Sequence, residues 1–158
     1  MAQTTGAEAR AGYKIEVSTD ATNWTDISGQ SNTVTVDGGD QLIGEQNTAD
    51  GQAPVVTGSN KVESSTVTVS CLYTETAGEA WRKVRDRYIG TDKTIAVRYS
   101  PRGGAQAERR YVTANDANTA ILVPIINCPV PAGDASSGDP LLFEFSVRTP
   151  RLFEEAVP

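Results

Sequence analysis

Apolar residues along this chain fall mostly into short alternating runs. Tyr13, Ile15 and Val17 alternate with Lys14, Glu16 and Ser18, the period of a strand with one buried and one wet face. Val34 and Val36 mark a second short strand that stops at Asp37-Gly38-Gly39-Asp40. It is expected to pair with the first as a hairpin, across a turn-rich connection that holds Trp24 and Ile27. Val67, Val69, Cys71 and Tyr73 alternate with Thr66, Thr68, Ser70 and Leu72, and their β-branched density makes this the clearest strand. Residues 94–99 and 109–113, joined through Pro101-Arg102-Gly103-Gly104, read as a hairpin. Residues 120–126 form a continuous apolar run suited to a doubly buried strand, with Pro124 marking an edge or bulge. Leu141, Phe143, Phe145 and Val147 then alternate with Leu142, Glu144, Ser146 and Arg148.

One segment has a helical period instead. Trp81, Val84 and Tyr88 form a stripe, with Arg82, Lys83, Arg85, Asp86 and Arg87 on the other sides. Thr76-Ala77-Gly78-Glu79 fits a capping box and Gly90 a C-terminal stop, which predicts a helix over about residues 76–89.

Three stretches show neither period. Residues 37–60 are glycine-rich with a single proline, a long irregular loop of the kind compact domains keep for function. Doubled back on itself at ~3.3 Å per residue, such a loop reaches about 40 Å, the thickness of a domain this size. Residues 129–140 form a second loop rich in Gly, Ser, Asp and Pro, and residues 149–158 a polar arm with an apolar hook at Leu152-Phe153 before Glu154 and Glu155. The expected fold is α+β, mainly β: a sandwich or barrel of seven to eight strands with one helix. It is read as one domain over residues 1–158, opened by a flexible segment at residues 1–12.

The net charge of −6 is unevenly spread. Residues 1–78 hold three basic and ten acidic residues, residues 79–110 nine and four, and residues 111–158 two and six. A basic middle between acidic flanks suits face-to-face contact between copies better than nucleic-acid readout. Residues 1–12 show neither the basic nor the apolar region of a signal peptide, and no apolar run approaches the ~20 residues of a membrane helix. We therefore expect a soluble, unexported chain with no membrane partner. Cys71 and Cys128 are expected to pack as small hydrophobes.

Recognisable chemistry is missing. The chain contains no histidine, no CxxC, and no phosphate-loop, nucleophile-elbow or dinucleotide fingerprint. Asp20 and Asp26 flank Trp24, a constellation for sugar hydrolysis, but Asp and Asn are ordinary turn formers and Trp24 an ordinary anchor for such a turn. Asp134 and Asp139 match no calcium loop. No catalytic residue, metal or cofactor is assigned.

Pro54-Val55-Val56-Thr57, then residues 61–69 (Lys-Val-Glu-Ser-Ser-Thr-Val-Thr-Val), then Tyr73-Thr74-Glu75 leading into Ala80-Trp81 carry a likeness. The chain resembles the tail tube proteins of long-tailed bacteriophages, over most of its length as an arrangement and diffusely as residue motifs. The resemblance implies a subunit of a ring, usually hexameric, that stacks into a virion tube assembled in the host cytoplasm, alongside other tail proteins. Genomic DNA passes through such a tube during ejection without sequence-specific binding. It implies an inter-ring role for the long loop, with Asp37, Asp40, Leu42, Ile43, Glu45, Asp50, Val55 and Val56. Candidate lumen residues are Glu16, Ser18, Thr66, Thr68, Ser70, Glu144 and Ser146, and the arm supplies Leu152, Phe153, Glu154 and Glu155 as a further contact. Rival readings are a tail terminator, a head decoration protein or a secretion-system tube; a carbohydrate-binding sandwich using Trp24 and the 134–139 loop; and, last, a carboxylate-pair enzyme.

Overall fold

The computed structural model describes residues 12–134 and 136–158. Apart from Gly12, the expected flexible N-terminal segment lies outside them. Eleven strands and one helix follow in the order β1 (Lys14–Ser18), β2 (Thr25–Asp26), β3 (Ser31–Gly38), β4 (Gln41–Gln46), β5 (Val55–Val62), β6 (Ser65–Leu72), α1 (Ala80–Ile89), β7 (Thr94–Ser100), β8 (Arg109–Ala114), β9 (Val123–Asn127), β10 (Leu142–Thr149) and β11 (Arg151–Ala156). The fold is mainly β with a single helix among the described residues, as the alternation implied.

Nine strands share one sheet along the path β11-β8-β7-β9-β10-β6-β3, with β1 on the other side of β7 and β2 beyond it. This sheet folds over a single core. Ile15, Val17, Ile95 and Val97 from one half meet Val67, Val69, Phe143, Phe145 and Val147 from the other. Helix α1 covers the core with Trp81, whose ring stands edge-on to Phe143 at 5.1 Å and to Tyr73 at 5.2 Å. The three rings thereby add a directional contact to the area they bury. Cys71 and Cys128 are free and buried here, and burial pushes the Cys71 thiol up to about 11.

Several expectations are corrected. β1 does not pair with β3: its neighbours are β2 and β7, while β3 pairs with β6. The helix begins at Ala80, and Glu79 makes no side-chain cap. The first orphan donor, the Ala80 N–H, instead goes to Gln30 Oε1 at 3.0 Å, a partner 50 residues away that a local capping pattern does not reveal. Two of the helix arginines, Arg85 and Arg87, bind back to the chain. Arg85 donates to the Cys128 carbonyl at 2.6 Å, and Arg87 to the carbonyls of Thr94 and Thr19, each at 3.1 Å, so the helix is tied to the start of β7 and to the segments that follow β1 and β9. The C-terminal arm is a strand, because β11 pairs along β8 in six-residue antiparallel register.

Candidate assembly surfaces

The stretch expected to be an irregular loop is a β-hairpin. β4 and β5 pair antiparallel and form their own two-stranded sheet, with Gln46 opposite Val55, Glu45 opposite Val56 and Ile43 opposite Gly58. β3 leads into β4 and β5 into β6, so the hairpin is the outward continuation of the β3–β6 pair. The bend between them is a glycine elbow. Gly38 and Gly39 take φ of +83° and +85°, and a Cβ on Gly38 would lie 2.6 Å from the Ser64 carbonyl oxygen. Only glycine fits there without strain. Glu63 N–H closes the elbow on the Asp40 carbonyl at 2.9 Å.

Beyond the elbow both faces of the hairpin are open. Ile43, Glu45 and Val56 share one face, Gly44, Gln46, Val55 and Thr57 the other. Ile43 is 66% exposed, Val55 53% and Val56 59%, and Leu42 and Val62 are also exposed. A two-stranded hairpin with no core of its own is marginal in water. Of the residues expected in the inter-ring loop, Asp37 lies at the end of β3, Asp40 in the elbow, Leu42, Ile43, Glu45, Val55 and Val56 in the hairpin strands, and Asp50 at its tip.

Five of the seven candidate lumen residues come together on one sheet face. Residues directly opposite one another on β3, β6 and β10 form cross-strand rows: Thr33–Ser70–Glu144, Thr35–Thr68–Ser146 and Asp37–Thr66–Arg148. Thr68 and Ser146 share a hydroxyl hydrogen bond of 2.8 Å. Ser146 sits mid-row beside Asn127 of β9 and is shielded by its neighbours. Thr33, Thr35 and Asp37 complete the rows but are not among the lumen candidates; their alternation with Val34 and Val36 is the signal for them. Arg148 is the single cation in the three rows, and it donates to Ser64 Oγ at 2.7 Å.

The other two candidates, Glu16 and Ser18, lie elsewhere and are buried. Glu16 belongs to the row Asp26–Glu16–Arg98–Val112–Phe153. Arg98 grips its carboxylate through two bonds of 2.6 and 3.0 Å, Lys14 lies 3.3 Å away, and the Trp24 ring stacks on the Arg98 guanidinium at 4.3 Å. Burial pushes the Glu16 carboxyl up, but the Arg98 bonds and the charges of Arg98 and Lys14 outweigh it and hold the group below its ordinary value. Trp24 thus anchors its turn by stacking on Arg98. Ser18 caps the same turn through Asp20, whose carboxyl is held far down by bonds from the Asn23 side chain and the Asn23 and Thr22 backbone. These polar residues are bound to one another, which their period-2 spacing alone does not show.

At the sheet's other edge, the acids of β11 are paired within the chain: Glu154 with Arg109 at 3.4 Å and Glu155 with Arg110 at 2.6 Å. Leu152 packs against the core and Phe153 is half-buried. In the 129–140 loop, Asp134 accepts from Ser136 and Asp139 from Ser137, ordinary turn bonds. Among the described residues no group of three His, Cys, Asp or Glu side chains converges on a point. No helix among them is long and apolar enough to cross a membrane.

A nine-stranded sheet folded over one core, one helix across it and a long hairpin off its end make up a fold that this chain shares with chains of several solved tail-like particles. A chain of the structure of the PVC sheath/tube terminator of an extracellular contractile injection system, in its extended state, superposes with a TM-score of 0.63 at 13% identity, over 98% of this chain and 100% of that one. A chain of the anti-feeding prophage baseplate gives 0.68 at 10% identity over 98% and 99%. A chain from the helically refined, C6-symmetric tail of an empty GTA particle gives 0.58 at 11% identity over 95% and 100%. At such identities the likeness is one of fold. No family model and no curated protein matches the sequence.

Proposed function

We propose that this chain is a structural subunit of a phage-tail-like tube, assembling in rings that stack along an axis through the β4–β5 hairpin. The observation that carries the reading is the hairpin: apolar on both faces, held out by a two-glycine elbow, on a domain with the fold of tube and terminator proteins. Fully burying an exposed aliphatic side chain is worth roughly 1.5–3 kcal/mol, so contact with another subunit recovers about half of that for each of these half-exposed side chains. The β3–β6–β10 face lines the channel in this reading. It presents hydroxyls and two carboxylates against one arginine, a lining along which DNA slides without being held. Glu16 and Ser18, which lie off this face on β1, are left out of the lining. The paired edge strand β11 keeps Leu152, Phe153, Glu154 and Glu155 as a contact with other tail components.

A terminator subunit, closing the tube rather than extending it, is supported by the likeness to the sheath/tube terminator and to the anti-feeding prophage tube terminating cap. Electron microscopy of the purified protein at rising concentration separates the two. Open-ended tubes support the tube subunit; rings that stay single and add only to the ends of preformed tubes support the terminator. A monomer at every concentration and with every tube overturns both.

A further inference from the structure

The hydroxyl face of β3, β6 and β10 does not end as it begins. After the rows Asp37–Thr66–Arg148, Thr35–Thr68–Ser146 and Thr33–Ser70–Glu144, the next row is Leu72 directly opposite Leu142. By alternation both leucines point to the same side as the hydroxyls. They are 38% and 40% exposed, and a cleft of about 440 Å³ opens beside them, lined by Ser31, Asn32, Leu72, Asp139, Pro140 and Leu142. A leucine pair with a neighbouring cleft has no use in a channel lining and none in this chain's own core.

Its position suggests one. β3 enters the sheet at Ser31 and leaves it at Gly38, where the elbow launches the hairpin; β6 enters at Ser65 and leaves at Leu72. The leucine pair therefore sits at one end of the strands that carry the hairpin at the other, separated by seven residues or about 23 Å at ~3.3 Å per residue. A projection at one end and an apolar recess at the opposite end are the two halves of a head-to-tail contact, which a copy related by translation along the strands brings together. The β4 strand alone, six residues or about 20 Å, is long enough to lie across such a recess.

We propose that the Leu72–Leu142 row and its cleft are the acceptor for the hairpin of the next copy, whose Ile43 and Val56, on one face of that hairpin, cover the two leucines. This rests on the ring-and-tube reading above and assigns its missing half, the surface that receives the hairpin. Each subunit is then donor at one end and acceptor at the other, and the surface uncovered at each terminus of a stack is a different one.

A cysteine pair, Ile43→Cys with Leu142→Cys, tests this in the full chain. Cys71 and Cys128 have no exposed surface and do not compete. Under mild oxidation the double variant is expected to give a ladder of covalent oligomers by non-reducing electrophoresis, and either single variant to give none. Leu72→Ser and Leu142→Asn, checked for folding by circular dichroism, are expected to leave rings but no stacks. If wild-type tubes form while the cysteine pair gives no ladder and the leucine variants still stack, the acceptor assignment is overturned and the tube reading stands. If the wild type forms neither tubes nor rings, both fall together.

Discussion

The β3–β6 pair and the β4–β5 pair are two parts of one long excursion of the chain, bent at Gly38 and Gly39, and they meet opposite fates. Within the sandwich Val67 and Val69 have no exposed surface, whereas past the elbow Ile43, Val55 and Val56 keep more than half of theirs. Chemically the two sets of side chains are alike. The difference lies in what covers them: the first part is backed by β1, β7 and helix α1, the second by nothing among the described residues. Folding stability and assembly therefore reside in separate residues, and substitutions on the two sides of the elbow should separate the two properties.

The largest effect belongs to the sandwich. Phe145 has no exposed surface and stacks near Phe143 at 6.3 Å. Phe145→Ala is expected to cost about 3–5 kcal/mol, from lost transfer energy and a residual cavity, measured as a drop in the urea unfolding midpoint. A loss under ~1 kcal/mol would show that the core does not hold the fold. Next comes the ion pair on the far side of the same sheet. Arg98→Ala strips Glu16 of both bonds from Arg98 and Trp24 of its stacking partner, and is expected to cost roughly 2–3 kcal/mol, less than the loss of a partner from a fully buried pair. Because the folded state holds the Glu16 carboxyl below its ordinary value of 4.5, the pair's contribution is complete above that pH and fades as pH falls through the lowered value. In Arg98→Ala only Lys14 is left to oppose the effect of burial on the carboxyl, so the acid loss should start at higher pH. An unchanged acid limb in both Arg98→Ala and Glu16→Gln would remove Glu16 from the account.

This contrast also explains what the sequence made legible. β6 was readable to the residue pair because one face is core and the other wet, so Val67, Val69 and Cys71 alternate cleanly with Thr66, Thr68 and Ser70. The hairpin was not, because a strand open on both faces has no reason to alternate: Gln41–Gln46 reads QLIGEQ, and glycines at 44 and 58 lower its strand propensity further. β11 was hidden differently. Its acids looked like a solvated tail, while their pairing with Arg109 and Arg110 depends on a strand more than 40 residues away. Glu16 and Ser18 kept the right period but not the right exposure, since Arg98 and the Trp24 turn close over them. The leucine row was in plain view as Leu72 and Leu142 among the hydroxyls, and only the register of β6 against β10 made it a pair.

The elbow is the place where the two regions can be uncoupled. Gly38→Ala places a methyl against the Ser64 carbonyl at a φ that alanine avoids, and is expected to cost about 1–3 kcal/mol at the bend. Hydrogen exchange should rise at the Glu63 amide, which donates to the Asp40 carbonyl, while β6 and β10 stay protected, and stacking should weaken because the hairpin no longer leaves the domain at the angle its partner receives. If protection is lost throughout the sheet instead, the elbow belongs to the core and the division fails.

The smallest effect on folding is the most informative. Ile43→Asp with Val56→Asp changes two side chains that are mostly in water already, so the unfolding midpoint of the isolated subunit should move by no more than about 0.5 kcal/mol. The two positions share one face of the hairpin, so the pair of carboxylates would have to be desolvated together in any contact made through that face, which costs several kcal/mol unless each finds a partner. Tubes should vanish from electron micrographs while the monomer's melting curve is preserved. A midpoint shift of the size of Phe145→Ala would mean that the hairpin folds back onto its own domain in solution. Tubes that persist would mean that it projects without binding through this face. Loss of assembly at unchanged stability is the one outcome that requires the side chains beyond the elbow to be reserved for another copy.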